Sequence, residues 1–121
     1  MANVLLIDDD EMVLETFQII LSADGHSIVK ASDGRTGLAL CADQQFDAVV
    51  TDVVMPEKDG LEVLMTLRKS NPDAKVIVIS GGGRTSARDY LEMAKMLGAD
   101  KVLYKPVTAT ELSRAITEVT T

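Results

Sequence analysis

Short aliphatic runs alternate with helix-period segments five times along this 121-residue chain, and that alternation constrains the fold more than any other feature. Residues 3–7 (NVLLI) open the series as a strand. From Asp10 to about Ala23, the residues Val13, Leu14, Phe17, Ile20 and Leu21 recur on one helical face, and Gly25 supplies a stop. Residues 26–31 form a weaker second strand, followed by an Asp33-Gly34 turn and a short helix to about Ala42. The third strand is 47–51, and Leu61, Leu64 and Leu67 mark a helix that Asn71-Pro72 ends. The fourth is 75–79 with a Gly-rich loop (SGGGR) after it. Ala87, Tyr90, Leu91, Ala94 and Leu97 give another amphipathic helix, closed by Gly98. Residues 101–104 are the fifth strand. Thr108 and Glu111 then form a capping-box pattern for a last helix carrying Leu112, Ala115, Ile116 and Val119.

Strands that are apolar throughout and joined through helices require a parallel sheet covered on both faces, a three-layer α/β fold. The length is one domain's worth, and residues 1–121 are read as a single unit. Aromatics make up only 3%, so the core must be built from Val, Ile, Leu and Met. A net charge of −7, from 19 acids and 12 bases, disfavours direct binding to nucleic acid or an anionic membrane. Cys41 has no cysteine to pair with inside the chain and reads as a small apolar residue. No basic-then-apolar leader and no bilayer-length apolar run occurs, so a soluble, cytoplasmic protein is the expectation.

In doubly wound sheets ligands gather beyond the carboxyl ends of the strands. Here the first strand is followed by Asp8 and Asp9, the third by Asp52, the fourth by Ser80 and the fifth by Lys105. If these strands are neighbours, three carboxylates, a hydroxyl and an ammonium share one cleft. Clustered carboxylates resist ionising together. A hard divalent cation such as Mg²⁺, which prefers oxygen ligands, resolves that repulsion. An aspartate beside Mg²⁺ and a lysine can attack a phosphoryl group and become an acyl phosphate.

Four blocks carry a family resemblance: Asp8-Asp9 after the first strand, DVVMPEKDG from Asp52 to Gly60, SGGG from Ser80, and Lys105-Pro106. Together, in this order, they resemble the receiver domain of two-component response regulators over essentially the whole chain. The resemblance implies the flavodoxin-like (βα)5 fold with strand order 2-1-3-4-5. It implies Asp52 as phospho-acceptor, charged from a histidine on a sensor histidine kinase or histidine phosphotransfer protein. It implies Mg²⁺ held by Asp9 and Asp52 directly, by Asp8 through water and by the Val54 backbone carbonyl. Ser80 and Lys105 would engage the phosphoryl oxygens, and Lys105-Pro106 would be cis. Such a protein is a phosphorylation-controlled switch in a two-component phosphorelay that changes its binding to a downstream protein. With nothing after the last helix, no output region is expected, and a stand-alone regulator is preferred over an excised receiver.

The same residues admit other readings. Asp8-x-Asp10 also fits haloacid-dehalogenase-type phosphatases, with Asp8 as nucleophile and Asp10 as general acid. Those enzymes need acidic metal ligands after the lysine, where only Glu111 and Glu118 occur, both on the last helix. A non-phosphorylated binding module is disfavoured by the complete set of site residues, and a flavodoxin by the lack of Trp. Asp10 reads as a helix N-cap, the lone His26 as structural, and the run of glycines from Gly81 to Gly83 as a loop that lets Ser80 move. One departure stands out: receivers usually carry Tyr or Phe three residues before the lysine, and Val102 stands there. Tyr104 is then expected beside the last helix, with activation read through the 81–83 loop and the fourth helix.

Overall fold

A computed structural model of the chain describes residues 1–52, 60–80, 92, 94–95 and 98–121. Five strands, β1 (Asn3–Ile7), β2 (Ser27–Ala31), β3 (Ala48–Asp52), β4 (Lys75–Ser80) and β5 (Lys101–Tyr104), form one parallel sheet in the order β2-β1-β3-β4-β5. Among the described residues, four helices cover it: α1 (Glu11–Ala23), α2 (Gly34–Asp43), α3 (Gly60–Ser70) and α4 (Ala109–Thr120). This is the doubly wound, flavodoxin-like (βα)5 arrangement that the alternation and the resemblance pointed to.

Strand alternation divides the interior in two. Leu5, Ile7, Val49, Val76 and Val78 pack on one face with Leu61, Leu64 and Leu67 of α3. Val4, Leu6, Val50, Ile77 and Ile79 pack on the other with Leu14, Phe17 and Leu21 of α1 and with Leu112 and Ile116 of α4. Both clusters are built from Val, Ile, Leu and Ala, with Phe17 and the partly buried Phe46 and Cys41 beside them; among the described residues no methionine joins either cluster.

Local chemistry sets most element ends. Asp10 caps α1 by accepting from the Met12 and Val13 amides. Gly25 takes φ +91 after α1, a conformation costly for any residue with a Cβ. Gly98 does the same at φ +98, so the stop expected there is present. The Thr108–Glu111 capping box is complete. Asp33-Gly34 is a helix start rather than a turn, because the Asp33 carboxylate accepts from the Thr36 amide at 2.7 Å and Gly34 is the first helical residue. Strands β3 and β4 each run one residue beyond the apolar pattern, since Asp52 pairs with Ile79 and Ser80 with Tyr104.

The helix anticipated between 87 and 97 falls mostly outside the described residues; of its expected apolar face, Ala94 is described and fully buried. Tyr104 departs from expectation. Strand alternation puts it on the face of Val102, which packs with the α3-side cluster, whereas α4 lies on the opposite face with Leu103. It therefore does not pack beside the last helix, and it is 54% exposed.

Candidate functional site

The order β2-β1-β3-β4-β5 makes β1, β3, β4 and β5 consecutive, so their carboxyl ends form one edge. Asp8 leaves β1 with its amide still donating to the Ala31 carbonyl at 3.1 Å. Its Oδ1 accepts the Asp10 amide at 2.9 Å, which fixes the carboxylate against its own loop. Asp52 ends β3, and both carboxylates are buried, Asp8 at 5% exposure and Asp52 at 8%. Lys105 follows β5 and is held to β4 by its amide, which donates to the Ser80 carbonyl at 2.8 Å. Its Nζ lies 3.4 Å from Asp8 Oδ2 and 3.4 Å from Asp52 Oδ2. The Lys105–Pro106 bond is cis.

One ammonium is thus shared by two buried carboxylates, and Asp9 adds a third, exposed one. Oxygens of Asp8, Asp9 and Asp52 all lie within 4.8 Å of one another. Burial pushes the Asp8 carboxyl above its ordinary range; the Asp10 amide and Lys105 oppose that shift without cancelling it. For Lys105, burial works toward a lower pKa, but Asp52 and Asp8 together prevail and the ammonium titrates above its usual value. Among the described residues, three carboxylates and one lysine meet at this edge, so acidic oxygens predominate there. An all-oxygen donor set of this kind matches a hard divalent cation and has no soft ligand for a thiophilic one. The residues therefore fit Mg²⁺.

Of the residues singled out from sequence, Asp8, Asp9, Asp52 and Lys105 are brought together. Ser80 is buried at the end of β4, one strand from Asp52, and tied to Lys105 through its backbone. Val54, the 81–83 glycines and most of the DVVMPEKDG block lie outside the described residues. Asp10 is engaged as the cap of α1, which leaves it poorly disposed to act as a general acid beside Asp8. Periodicity did not reveal the brace from the Asp10 amide to Asp8; an Asx-type turn at the Asp8-x-Asp10 spacing was the available signal. It also missed an apolar groove of about 430 Å³ beside the site, bounded by Met12, Val13 and Phe17 of α1 and by Lys105 and Pro106.

Comparison with known proteins agrees with this geometry. Residues 4–117 match the family described as the response regulator receiver domain. Response regulator MprA of Mycolicibacterium vanbaalenii is 40% identical over 111 residues, covering 91% of this chain and 46% of that protein. Transcriptional regulatory protein QseB of Haemophilus influenzae is 38% identical over 114 residues, covering 92% of this chain and 49% of that protein. The chain thus spans about half the length of these relatives. Among solved structures, a response regulator receiver domain protein from Clostridium thermocellum superposes with a TM-score of 0.92 at 34% identity, over 99% of this chain and 94% of that one. The receiver domain of NtrX from Brucella abortus gives 0.90 at 28% identity, over 97% of both chains.

Proposed function

Because this chain belongs to the response regulator receiver family of two-component signalling, we propose that it is a switch set by phosphorylation of Asp52. The observation that carries this reading is the shared lysine: Lys105 bridges Asp8 and Asp52, so the β3 carboxylate has a cation beside it where phosphoryl charge would accumulate. The donor is a phosphohistidine on a sensor histidine kinase or a histidine phosphotransfer protein. An Asp52 oxygen forms the new P–O bond as the P–N bond to the donor imidazole breaks, and the imidazole leaves. Asp9 and Asp52 would hold Mg²⁺ directly, Asp8 through water, with the Val54 carbonyl as a further ligand. Bound there, Mg²⁺ supplies charge neutralisation for the phosphoryl oxygens. Lys105 pairs with one of those oxygens, and Ser80 donates its hydroxyl to another.

The groove along α1 supports a protein donor. It is apolar, its wall includes Lys105, and Met12 at its rim is 77% exposed. A small phosphate donor has no use for such a surface, whereas a helix presenting a phosphohistidine needs one to orient on.

The chain is read as a cytoplasmic switch rather than a substrate-processing enzyme, and its output is altered binding to another protein. Among the described residues no helix is long and apolar enough to cross a membrane. Direct contact with nucleic acid by these 121 residues is disfavoured by the −7 charge.

Intact-mass measurement after incubation with Mg²⁺ and a small acyl-phosphate donor tests the proposal. One phosphoryl group should add to the wild-type chain. Asp52→Asn should abolish the increment and Asp8→Asn should only weaken it. Normal labelling of Asp52→Asn with loss in Asp8→Asn would instead assign Asp8 as the nucleophile, as in the phosphatase reading.

A further inference from the structure

Helix α2 contributes no side chain to the acidic edge, yet it touches the strand that carries it. Gly37 is buried on the face of α2 that meets β1. A Cβ built on Gly37 would lie 2.8 Å from Ile7 Cγ1 and closer still to Ile7 Cδ1. Real Cβ contacts are not that short, so with an added methyl either the Ile7 side chain or the helix must shift.

Ile7 has little room to yield. It is 1% exposed and is paired with Ala31 on one side and Thr51 on the other. The residues that follow Ile7 and Thr51 are Asp8 and Asp52. A push on Ile7 therefore bears on both strands at the point where their carboxylates begin. The Asp33 cap on Thr36 sets where α2 begins.

We infer that Gly37 is a positioning residue for the Asp8–Asp52 seat: its missing side chain lets Ile7 fill the α2–β1 gap and sets the spacing of the two carboxylates. The inference rests on the proposed Mg²⁺ site. A cation that demands near-ideal octahedral geometry at about 2.0–2.1 Å is sensitive to shifts of a few tenths of an ångström in its ligands. Ile7 and Gly37 together supply one volume. A valine at position 7 would relieve the shorter of the two contacts, that with Cδ1, and keep the one with Cγ1.

The test is a two-residue cycle read by Mg²⁺ affinity, measured calorimetrically at a temperature well below every melting transition. Gly37→Ala should weaken Mg²⁺ binding about tenfold, the low end of what disturbed outer-shell groups cost. Ile7→Val, which removes a single methylene, should weaken it less than Gly37→Ala does. The pair Ile7→Val/Gly37→Ala should bind Mg²⁺ more tightly than Gly37→Ala without reaching wild type, because valine lacks Cδ1 but keeps Cγ1, 2.8 Å from the added Cβ. If Gly37→Ala does not fold, the double variant decides the matter: it should fold and bind Mg²⁺ more weakly than wild type.

Equal Mg²⁺ affinity in every folded variant, with only melting temperatures changed, would overturn the inference and leave Gly37 a packing residue. A double variant that binds Mg²⁺ no more tightly than Gly37→Ala would do the same. Wild-type protein that binds no Mg²⁺ would instead overturn the proposed function.

Discussion

Burial pushes the Asp8 carboxyl above the ordinary carboxylate range, and the sign of that shift sets how the metal-free protein responds to pH. A raised carboxyl pKa means that the folded state holds its proton more tightly than the unfolded chain. Stability therefore falls as pH rises from about 3.9, the unperturbed value, through the folded value, and the penalty persists at neutral pH. Asp8→Asn removes the charge while keeping an acceptor for the Asp10 amide. In EDTA at pH 7 it should raise the melting temperature by a few degrees, and the gain should vanish as pH approaches the unperturbed aspartate value. A melting temperature lowered at pH 7 would show that the Lys105 contact outweighs desolvation. Lys105 has the opposite sensitivity: its raised pKa gives stability that is present at neutral pH and lost only in the alkaline range. None of this was legible in the string Asp8-Asp9-Asp10. Repulsion among the three could be read there, and Asp10 as the helix cap, but not that Asp8 is the one buried and Asp9 the one facing solvent.

Elements carry their own consequences. Helix α3 buries Leu64 fully against β3 and β4 residues of the same cluster, so Leu64→Ala should cost about 2–5 kcal/mol. A lowered urea midpoint with an unchanged slope would be the signature. Helix α1 is exposed at Met12 beside the groove. Met12→Asp should slow phosphoryl transfer from a phosphohistidine protein by roughly tenfold, about 1.4 kcal/mol of lost transition-state contact, and leave labelling by a small donor unchanged. Equal slowing with both donors would place the defect in the site rather than in docking. At this scale the sequence was readable where chemistry is local: Gly25, Gly98, Asp10 and the Thr108–Glu111 box each announce an end. Arg68 was not readable. Its guanidinium donates to the Gly98 carbonyl at 2.7 Å and pairs with Asp100 at 2.7 Å, joining α3 to the turn before β5 across thirty residues of chain. A lone arginine in a last helical turn gives no sign of so distant a partner.

For the whole molecule, the parallel sheet brings residues from four strands to one edge, and a ligand bound there ties those strands together. Mg²⁺ should therefore raise the melting temperature, by about 2.7 kcal/mol of added stability at one hundred times its Kd. The shift should shrink in Asp8→Asn and in Asp52→Asn. A melting curve indifferent to millimolar Mg²⁺ would remove the metal seat from the account. The strand order could be anticipated only through the family resemblance, since five buried strands of similar composition do not declare their neighbours. The carboxyl-edge grouping was legible because in a parallel sheet the residue after each strand has only one edge to occupy. The face on which Tyr104 would lie was misjudged: alternation was applied correctly to Val102, but the side taken by the last helix is a property of the crossover.

The brace between Asp8 and α1 extends the site's influence into backbone dynamics. The Asp10 amide is bound by Asp8, and the Asp10 carboxylate in turn holds the Met12 and Val13 amides, so the first turn of α1 hangs from the site by two successive links. Mg²⁺ bound at the proposed seat would draw off the repulsion around Asp8 and steady the first link, and the second would inherit the gain. Deuterium uptake at the Asp10, Met12 and Val13 amides should then slow on adding Mg²⁺, while the far end of the same helix, near Ala23, keeps its metal-free rate.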